Sequence, residues 1–225
     1  MNKRQMSETF ILCALLAIVG GFIDAYTYIA RGGVFAFAQT GNLIFFGINL
    51  SEGNLKEVIY YAIPICTFII GVMLAELIRS KTKGFTKIHW RQIVIGIEII
   101  ILCIVAFIPV GDWNVVANVL ITFICALQVE SFKKVNGNSF ASTMCTGNLR
   151  SGTEYLYHYI NTKDKAMLLR SLNYFGIISC FVIGVILGTT ITKIMHQSSV
   201  LFCLILLVVS FVLMLKKDSG EQVTN

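Results

Sequence analysis

The amino-acid sequence predicts an all-α polytopic membrane protein with six transmembrane helices, two re-entrant elements and an inverted-topology internal repeat. Three observations predict this fold class. Of the 225 residues, 56% are hydrophobic and only 13% are charged, whereas a soluble domain carries about 25% charged residues. The apolar residues fall into long runs, and one short polar motif occurs twice among them. Composition and pattern together indicate a chain that folds in a lipid bilayer.

Six apolar runs are candidates for transmembrane helices. A helix needs roughly 20 residues to cross a hydrocarbon core of about 30 Å. The runs cover residues 10–28, 58–78, 93–110, 115–132, 172–191 and 200–215. The first run is longer than the apolar part of a signal peptide, and no small-residue cleavage site follows it. We therefore expect it to be retained as the first transmembrane helix.

The cations between the runs predict the orientation of the chain, because positive charges near helix ends mark the cytoplasmic side. Lys3 and Arg4 precede the first run, and five cations lie at residues 79–91, after the second run. Both segments are therefore expected in the cytoplasm. The polar motif between the first two runs must then enter the membrane and return on the same side. Lys216 and Lys217 place the C-terminus in the cytoplasm as well.

The repeated polar motif is Thr-Gly-Asn. It occurs in FAQTGNLIFF at residues 37–46 and again in STMCTGNLRS at residues 142–151. The offset that aligns the two copies also aligns Asp24 with Glu130. Self-similarity of this kind is the sequence signature of an internal repeat.

A second pair of matching segments follows the motif in each half. FIIGVMLA at residues 68–75 matches FVIGVILG at residues 181–188. Both segments contain small residues four positions apart, such as Gly184 and Gly188. Small residues at this spacing allow two transmembrane helices to approach closely.

These matches divide the chain into two repeats of three spans and one re-entrant element each. Because three is an odd number, the second repeat enters the membrane from the opposite face, as in transporters with inverted repeats. We predict a single membrane domain over residues 1–225, with the first repeat at 7–110 and the second at 113–216. Residues 217–225 are expected to form a short cytoplasmic tail.

One long segment carries a resemblance to a known family. GGFIDAYTYIARGGVFAFAQTGNL, at residues 20–43, resembles the N-terminal signature of the YoaK-like family of bacterial integral membrane proteins, whose domain is of unknown function. The resemblance continues through the second TGNL and FVIGVILG, although ALQVESF in the second half is a looser match. It implies a multi-pass protein of the bacterial plasma membrane and names no substrate.

The two motifs are the candidate substrate site. A helix start buried in a membrane presents free N–H groups and about half a positive charge, and Thr and Asn are residue types that cap helix starts. We predict short helices over residues 43–49 and 149–158 whose starts meet near the membrane midplane. The candidate substrate-binding residues are Gln39, Thr40, Gly41, Asn42, Thr146, Gly147 and Asn148.

Three carboxylates in or near the spans are candidates for binding a coupling proton or cation: Asp24, Glu98 and Glu130. An ionisable group at membrane depth is a functional candidate by default. A structural role is the alternative for each. Asp24 and Glu130 could brace their own re-entrant loops, and Lys133 could neutralise Glu130 from one turn away. Glu98 could make a hydrogen bond between helices.

Several other classes of function are disfavoured. The net charge of +6 is spread over short segments between spans and does not form one basic patch for nucleic acid. The seven cysteines show no Cys-x-x-Cys spacing, so neither a metal site nor another cofactor is expected. The three histidines lie near span ends without catalytic spacing, which disfavours an enzyme.

The leading hypothesis is a secondary transporter of a small polar or anionic solute, coupled to a proton or cation. A channel with two re-entrant half-helices and a non-transporting membrane scaffold are the alternatives. The sequence does not specify the substrate, the direction of transport or the oligomeric state, so a homo-oligomer stays open. Apart from the lipid bilayer, a small solute and a coupling ion are the expected partners.

Overall fold

The computed structural model of the protein describes residues 9–82, 90–135, 138–139 and 145–218. The helices within these residues are α1 (Phe10–Ala30), α2 (Gln39–Ser51), α3 (Leu55–Thr82), α4 (Trp90–Val105), α5 (Asn114–Ser131), α6 (Cys145–Thr162), α7 (Lys165–Met195) and α8 (Leu201–Asp218). A 3₁₀ turn at His196–Val200 joins α7 to α8. The strands β1 (Lys134–Val135) and β2 (Asn138–Ser139) form a short antiparallel pair. The predicted all-helical class is thus confirmed, with this two-residue pairing as its one addition among the described residues.

Within the part of the chain that the structure describes, four helical stretches are long and apolar enough to cross a membrane: Phe10–Ala30, Leu55–Lys81, Asn114–Ser131 and Lys165–Leu215. The last has 51 residues and comprises α7, the 3₁₀ turn and α8. Helix α4 is apolar but has 16 residues, fewer than the roughly 20 that a full crossing requires. The chain is therefore a membrane protein, while the number of six crossings stays a prediction.

The helices of the two predicted repeats pack in a two-fold pattern. The main pairs are α1 with α7, α3 with α5, α2 with α3, α6 with α7, α4 with α5, α1 with α8 and α4 with α8. If α1 is exchanged with α5, α2 with α6, α3 with α7 and α4 with α8, the same set of pairs results. The two longest contacts, α1 with α7 and α3 with α5, therefore join one half of the chain to the other.

Glycines bring the helices of these two pairs close together. In the α1–α7 pair, a Cβ at Gly184 would collide with the carbonyl oxygen of Ile18, and one at Gly21 with that of Phe181. In the α3–α5 pair, Gly71 lies against Ala126. The close packing predicted from small residues four apart is confirmed. The segment FVIGVILG forms the contact surface of α7 in the α1–α7 pair, and FIIGVMLA forms that of α3 in the α3–α5 pair.

The buried core lies between α1, α4, α5 and α8. Large apolar side chains that are at most 1% exposed fill it, among them Leu16, Ile95, Ile121 and Leu207. Several polar side chains are buried with them, which is costly unless each finds a partner. Their positions define the candidate functional site.

Candidate functional site

The segment after α1 reverses direction and runs back along that helix. Gly32 and Gly33 adopt φ angles of 88° and 77°, which residues with a Cβ rarely reach. The N–H of Gly33 then donates to the carbonyl of Tyr28 at 3.1 Å, and the ring of Phe35 stacks on that of Tyr28 at 4.9 Å. The segment therefore returns from the end of α1 towards its middle.

Asp24 fixes the point at which this segment ends and α2 begins. Its Oδ1 accepts a hydrogen bond of 2.8 Å from the N–H of Phe37, and its carboxylate also interacts with the backbones of Ala36 and Ala38. Asp24 is 4% exposed. The bracing role that was one alternative for Asp24 is therefore present in the structure.

The first motif lies inside α2 and does not precede it. The residue before the helix is Ala38, and no side chain caps the helix start. The predicted capping by Thr40 and Asn42 is therefore wrong, as is the predicted start at residue 43. The acceptor that serves the backbone here comes from Asp24 of another helix, which local sequence spacing cannot reveal.

Asn42 has a structural role in the returning segment. Its side chain is fully buried, its Oδ1 accepts from the N–H of Phe35 at 3.1 Å, and its Nδ2 donates to the carbonyl of Phe35 and to Oε1 of Gln39. Gly41 is needed beside it, because a Cβ there would overlap the Phe35 ring. These two residues of the motif fix the turn rather than face open space.

The second motif lies at the start of α6. That helix begins at Cys145, so Thr146, Gly147 and Asn148 fall in its first turn, and the predicted start at residue 149 is again too late. Asn148 is 3% exposed, whereas Thr146 and Gly147 are exposed. Residues 142–144 of this copy lie outside the described residues. Cys145 lies within electrostatic range of the Asp24 carboxylate, so the starts of α6 and α2 are near each other.

A cavity of about 770 Å³ lies between the two helix starts. Residues of both motifs line it: Gln39 and Thr40 from the first, and Thr146, Gly147 and Asn148 from the second. Gly41 and Asn42 are not among its described lining residues. Aromatic side chains, among them Phe68 and Phe181, complete the wall. Five of the seven residues predicted to bind substrate thus face one space.

Charged groups at the cavity wall form a small network between α5 and α3. Lys133 pairs with Glu130 of α5, and its Nζ also lies 3.5 Å from Oε1 of Glu76 on α3. Glu76 in turn pairs with Arg79 at 2.9 Å. The predicted neutralisation of Glu130 by Lys133 is therefore seen as a direct ion pair.

Glu98 differs from the other two candidate carboxylates. It is 1% exposed, and its Oε1 has no hydrogen-bond partner among the described residues. It lies on α4 and does not contribute to the described wall of the cavity. The hydrogen bond between helices that was its structural alternative is not formed by this oxygen.

Arg31 is a buried cation that the sequence reasoning missed. It is fully buried and holds the end of α4: its Nη2 donates to the carbonyls of Val105 and Ile108 at 3.1 and 2.9 Å, and its Nη1 to that of Pro109 at 3.0 Å. Carbonyls at a helix C-terminus lack partners within the helix and attract cations. A cation just past a span looks like an ordinary interface anchor, so only the tertiary contacts identify its role.

The comparisons with known proteins place the chain in a membrane protein family. A family described as "Protein of unknown function (DUF1275)" matches residues 12–213 of the chain. The UPF0700 transmembrane protein YoaK of Bacillus subtilis (strain 168) is 27% identical over an alignment of 150 residues, and the match covers 62% of this chain. The match spans 64% of that protein, less than two thirds of its length. No solved structure matches the chain. The resemblance to YoaK-like proteins is thereby confirmed.

Proposed function

This chain is a membrane protein of the DUF1275 family, whose function is unknown, and we propose that it is a bacterial secondary transporter of a small polar or anionic solute. The observation that carries the proposal is the cavity of about 770 Å³ that reaches both motif-bearing helix starts. Small-molecule sites typically have volumes of about 300–1,000 Å³. Transporters with broken helices hold their substrates between such helix starts.

The chemistry of the cavity wall supports a polar solute. Thr40 and Thr146 contribute hydroxyl groups, and the start of α6 places the positive end of a helix dipole at the wall, which favours negative charge. Lys133 and Glu130 at the wall pair with each other, so together they add no net charge to it. Rings such as those of Phe68 and Phe181 would cover the apolar side of a solute. A small anion or a zwitterion with an apolar side matches this wall.

The membrane topology that belongs to the proposal has six crossings and two re-entrant elements. Two observations support it. The segment at residues 32–38 returns along α1 to Asp24 before α2 begins, as a re-entrant element requires. The two-fold pattern of helix pairs is the packing expected of two inverted repeats. In this topology both termini are cytoplasmic.

A solute screen tests the proposal. A solute that binds the folded protein raises its thermal stability by RT ln(1 + [L]/Kd). We expect a subset of amino acids, carboxylates or small phosphates to stabilise the purified protein, and the same compounds to show saturable uptake into proteoliposomes. Flux that rises without saturation would favour a channel, and the absence of any stabilising solute would favour a scaffold.

Substitutions at the two motifs then locate the site. Thr40→Val and Thr146→Val remove a hydroxyl from the cavity wall at nearly constant volume, and each is expected to weaken solute binding about tenfold, as loss of roughly one hydrogen bond implies. Thr153→Val is the matched control, because Thr153 lies on α6 outside the cavity wall and donates to its own helix at Leu149. Equal affinity in all three variants would contradict the proposed site.

A further inference from the structure

Glu98 is a carboxyl group in the protein interior with no counter-charge among the described residues. The side chain is 1% exposed, its Oε1 makes no hydrogen bond to the described residues, and no cation among those residues interacts with it. Buried carboxylates are ordinarily paired or hydrogen-bonded, because an isolated buried charge is strongly unfavourable. A group in this position needs an explanation beyond packing.

The other two carboxylates show what a structural role looks like in this protein. Asp24 accepts from the N–H of Phe37 at 2.8 Å, and Glu130 pairs with Lys133. Each is tied to the element that it braces. Among the described residues Oε1 of Glu98 makes no such contact, so bracing explains two of the three acids and does not explain the third.

The titratable groups around Glu98 come from three helices. The bond from Nε of Arg91 to the carbonyl of Ser131, 2.8 Å long, sets the antiparallel register of α4 and α5. Glu98 is seven residues after Arg91 in α4, and Cys125 is six residues before Ser131 in α5, so the two side chains lie at a similar level. Cys125 interacts electrostatically with Glu98, with Asp24 of α1 and with Cys203 of α8. All of these neighbours are acids or thiols, so none supplies a compensating positive charge.

Another buried polar atom that lacks a hydrogen-bond partner among the described residues lies close to Cys125 on α5. The hydroxyl of Thr122 is fully buried and has no hydrogen-bond partner among the described residues. It is one helical turn from Cys125 on α5. The interior at this level therefore holds two polar groups whose hydrogen-bonding capacity is unused in this conformation.

We propose that Glu98 is an internal proton-binding site. In the conformation described here the carboxyl group is neutral and holds the proton, because an ionised carboxylate without a partner would be strongly disfavoured. The proton leaves when movement of α4 against α5 and α8 lets water reach the oxygen. In the transporter proposed above, Glu98 then carries the coupling proton, and this last role rests on that proposed function.

Infrared spectroscopy of the purified protein in lipid tests the proton site directly, with the proton itself as the probe. A protonated carboxylic acid gives a carbonyl band that an ionised carboxylate lacks. We expect this band in the native protein at neutral pH, its reversible loss on titration to alkaline pH, and a shift to lower frequency in D₂O as the proton exchanges. Glu98→Gln should remove the Glu98 component of this band. Glu76→Gln should leave it in place, because Glu76 is exposed and paired with Arg79.

Three results would overturn the proposal: no band in the native protein at neutral pH, an equal band in Glu98→Gln, or a band that neither titrates nor exchanges. If Glu98→Gln does not fold, Glu98→Asp keeps an acid and should move the band. These measurements need no transported solute. Failure of the solute screen would therefore leave the proton site standing, whereas a missing band would remove it whatever the screen finds.

Discussion

Oδ1 of Asp24 and the backbone nitrogen of Phe37 are 2.8 Å apart and share a hydrogen bond. This bond ties the returning segment to the interior of α1, because both partners are buried. This hydrogen bond also explains why an acidic residue occurs within an apolar span. The carboxylate supplies the acceptor that the backbone ahead of α2 does not find in its own helix.

We predict that Asp24→Ala lowers the free energy of unfolding by about 1–3 kcal/mol, because it leaves a buried N–H without a partner. Asp24→Asn should lose less stability, since its side-chain oxygen can still accept the hydrogen bond from Phe37. Reversible unfolding in detergent micelles measures both variants. Equal losses would show that the charge, rather than the acceptor, is what the site requires.

Arg31 gives a second prediction. Arg31→Ala removes the donors from three carbonyls that follow the end of α4, so we expect a loss of several kcal/mol, at about 1–3 kcal/mol for each buried acceptor left unpaired. The stability of Arg31→Lys should lie between those of the native protein and Arg31→Ala, because one ammonium group cannot reproduce the planar set of five donors. The midpoint of thermal unfolding reports the order. Arg150→Lys, at an exposed position of α6, is the control and should change stability by less than about 0.5 kcal/mol.

The glycines of the α1–α7 contact give a third prediction. Gly184→Ala places a methyl group against the backbone of Ile18, and overpacking of this kind typically costs about 1–3 kcal/mol. Gly47→Ala is the matched control on α2, where a Cβ would meet nothing within 4 Å. That change should be neutral or stabilising by up to about 1 kcal/mol, the difference in helix propensity. Similar unfolding midpoints for the two variants would contradict the close contact.

The proposed topology gives a fourth prediction. In a chain with Cys66 replaced by Ser, a cysteine at Thr82 should react with a membrane-impermeant maleimide only after the cells are opened. A cysteine at Asp112, in the turn between α4 and α5, should react in intact cells. Labelling of Thr82→Cys from outside would overturn the inverted repeat, because the second span would then end on the wrong side.

The features that could be predicted from the sequence are those set by composition and short-range spacing. The long apolar runs coincide with helices. In lipid every backbone N–H and C=O group needs a partner within the protein, and a helix supplies these partners within a single segment. The pairing of Glu130 with Lys133 could be predicted from their separation of three residues, and it forms although Lys133 lies just past the end of α5. The two copies of Thr-Gly-Asn were enough to predict that two distant segments share one space, and residues of both line the cavity.

The features that could not be predicted depend on contacts between distant parts of the chain. Arg31 acts on carbonyls that lie more than 70 positions away, and no local pattern marks such a partner. Asn42 looked like a substrate ligand because it is polar in an apolar segment. Its hydrogen bonds to Phe35 and Gln39 show that the returning backbone is what it binds.

The pairing of α1 with α7 has a consequence for biosynthesis. Helix α1 ends at Ala30, whereas its main partner begins at Lys165, and at about 5–20 residues per second a ribosome needs on the order of ten seconds to make the chain between them. Throughout that interval the face of α1 that packs against α7 lacks its partner. The first half of the protein therefore enters the membrane without the surface that completes it, and assembly is decided only when the last helices arrive.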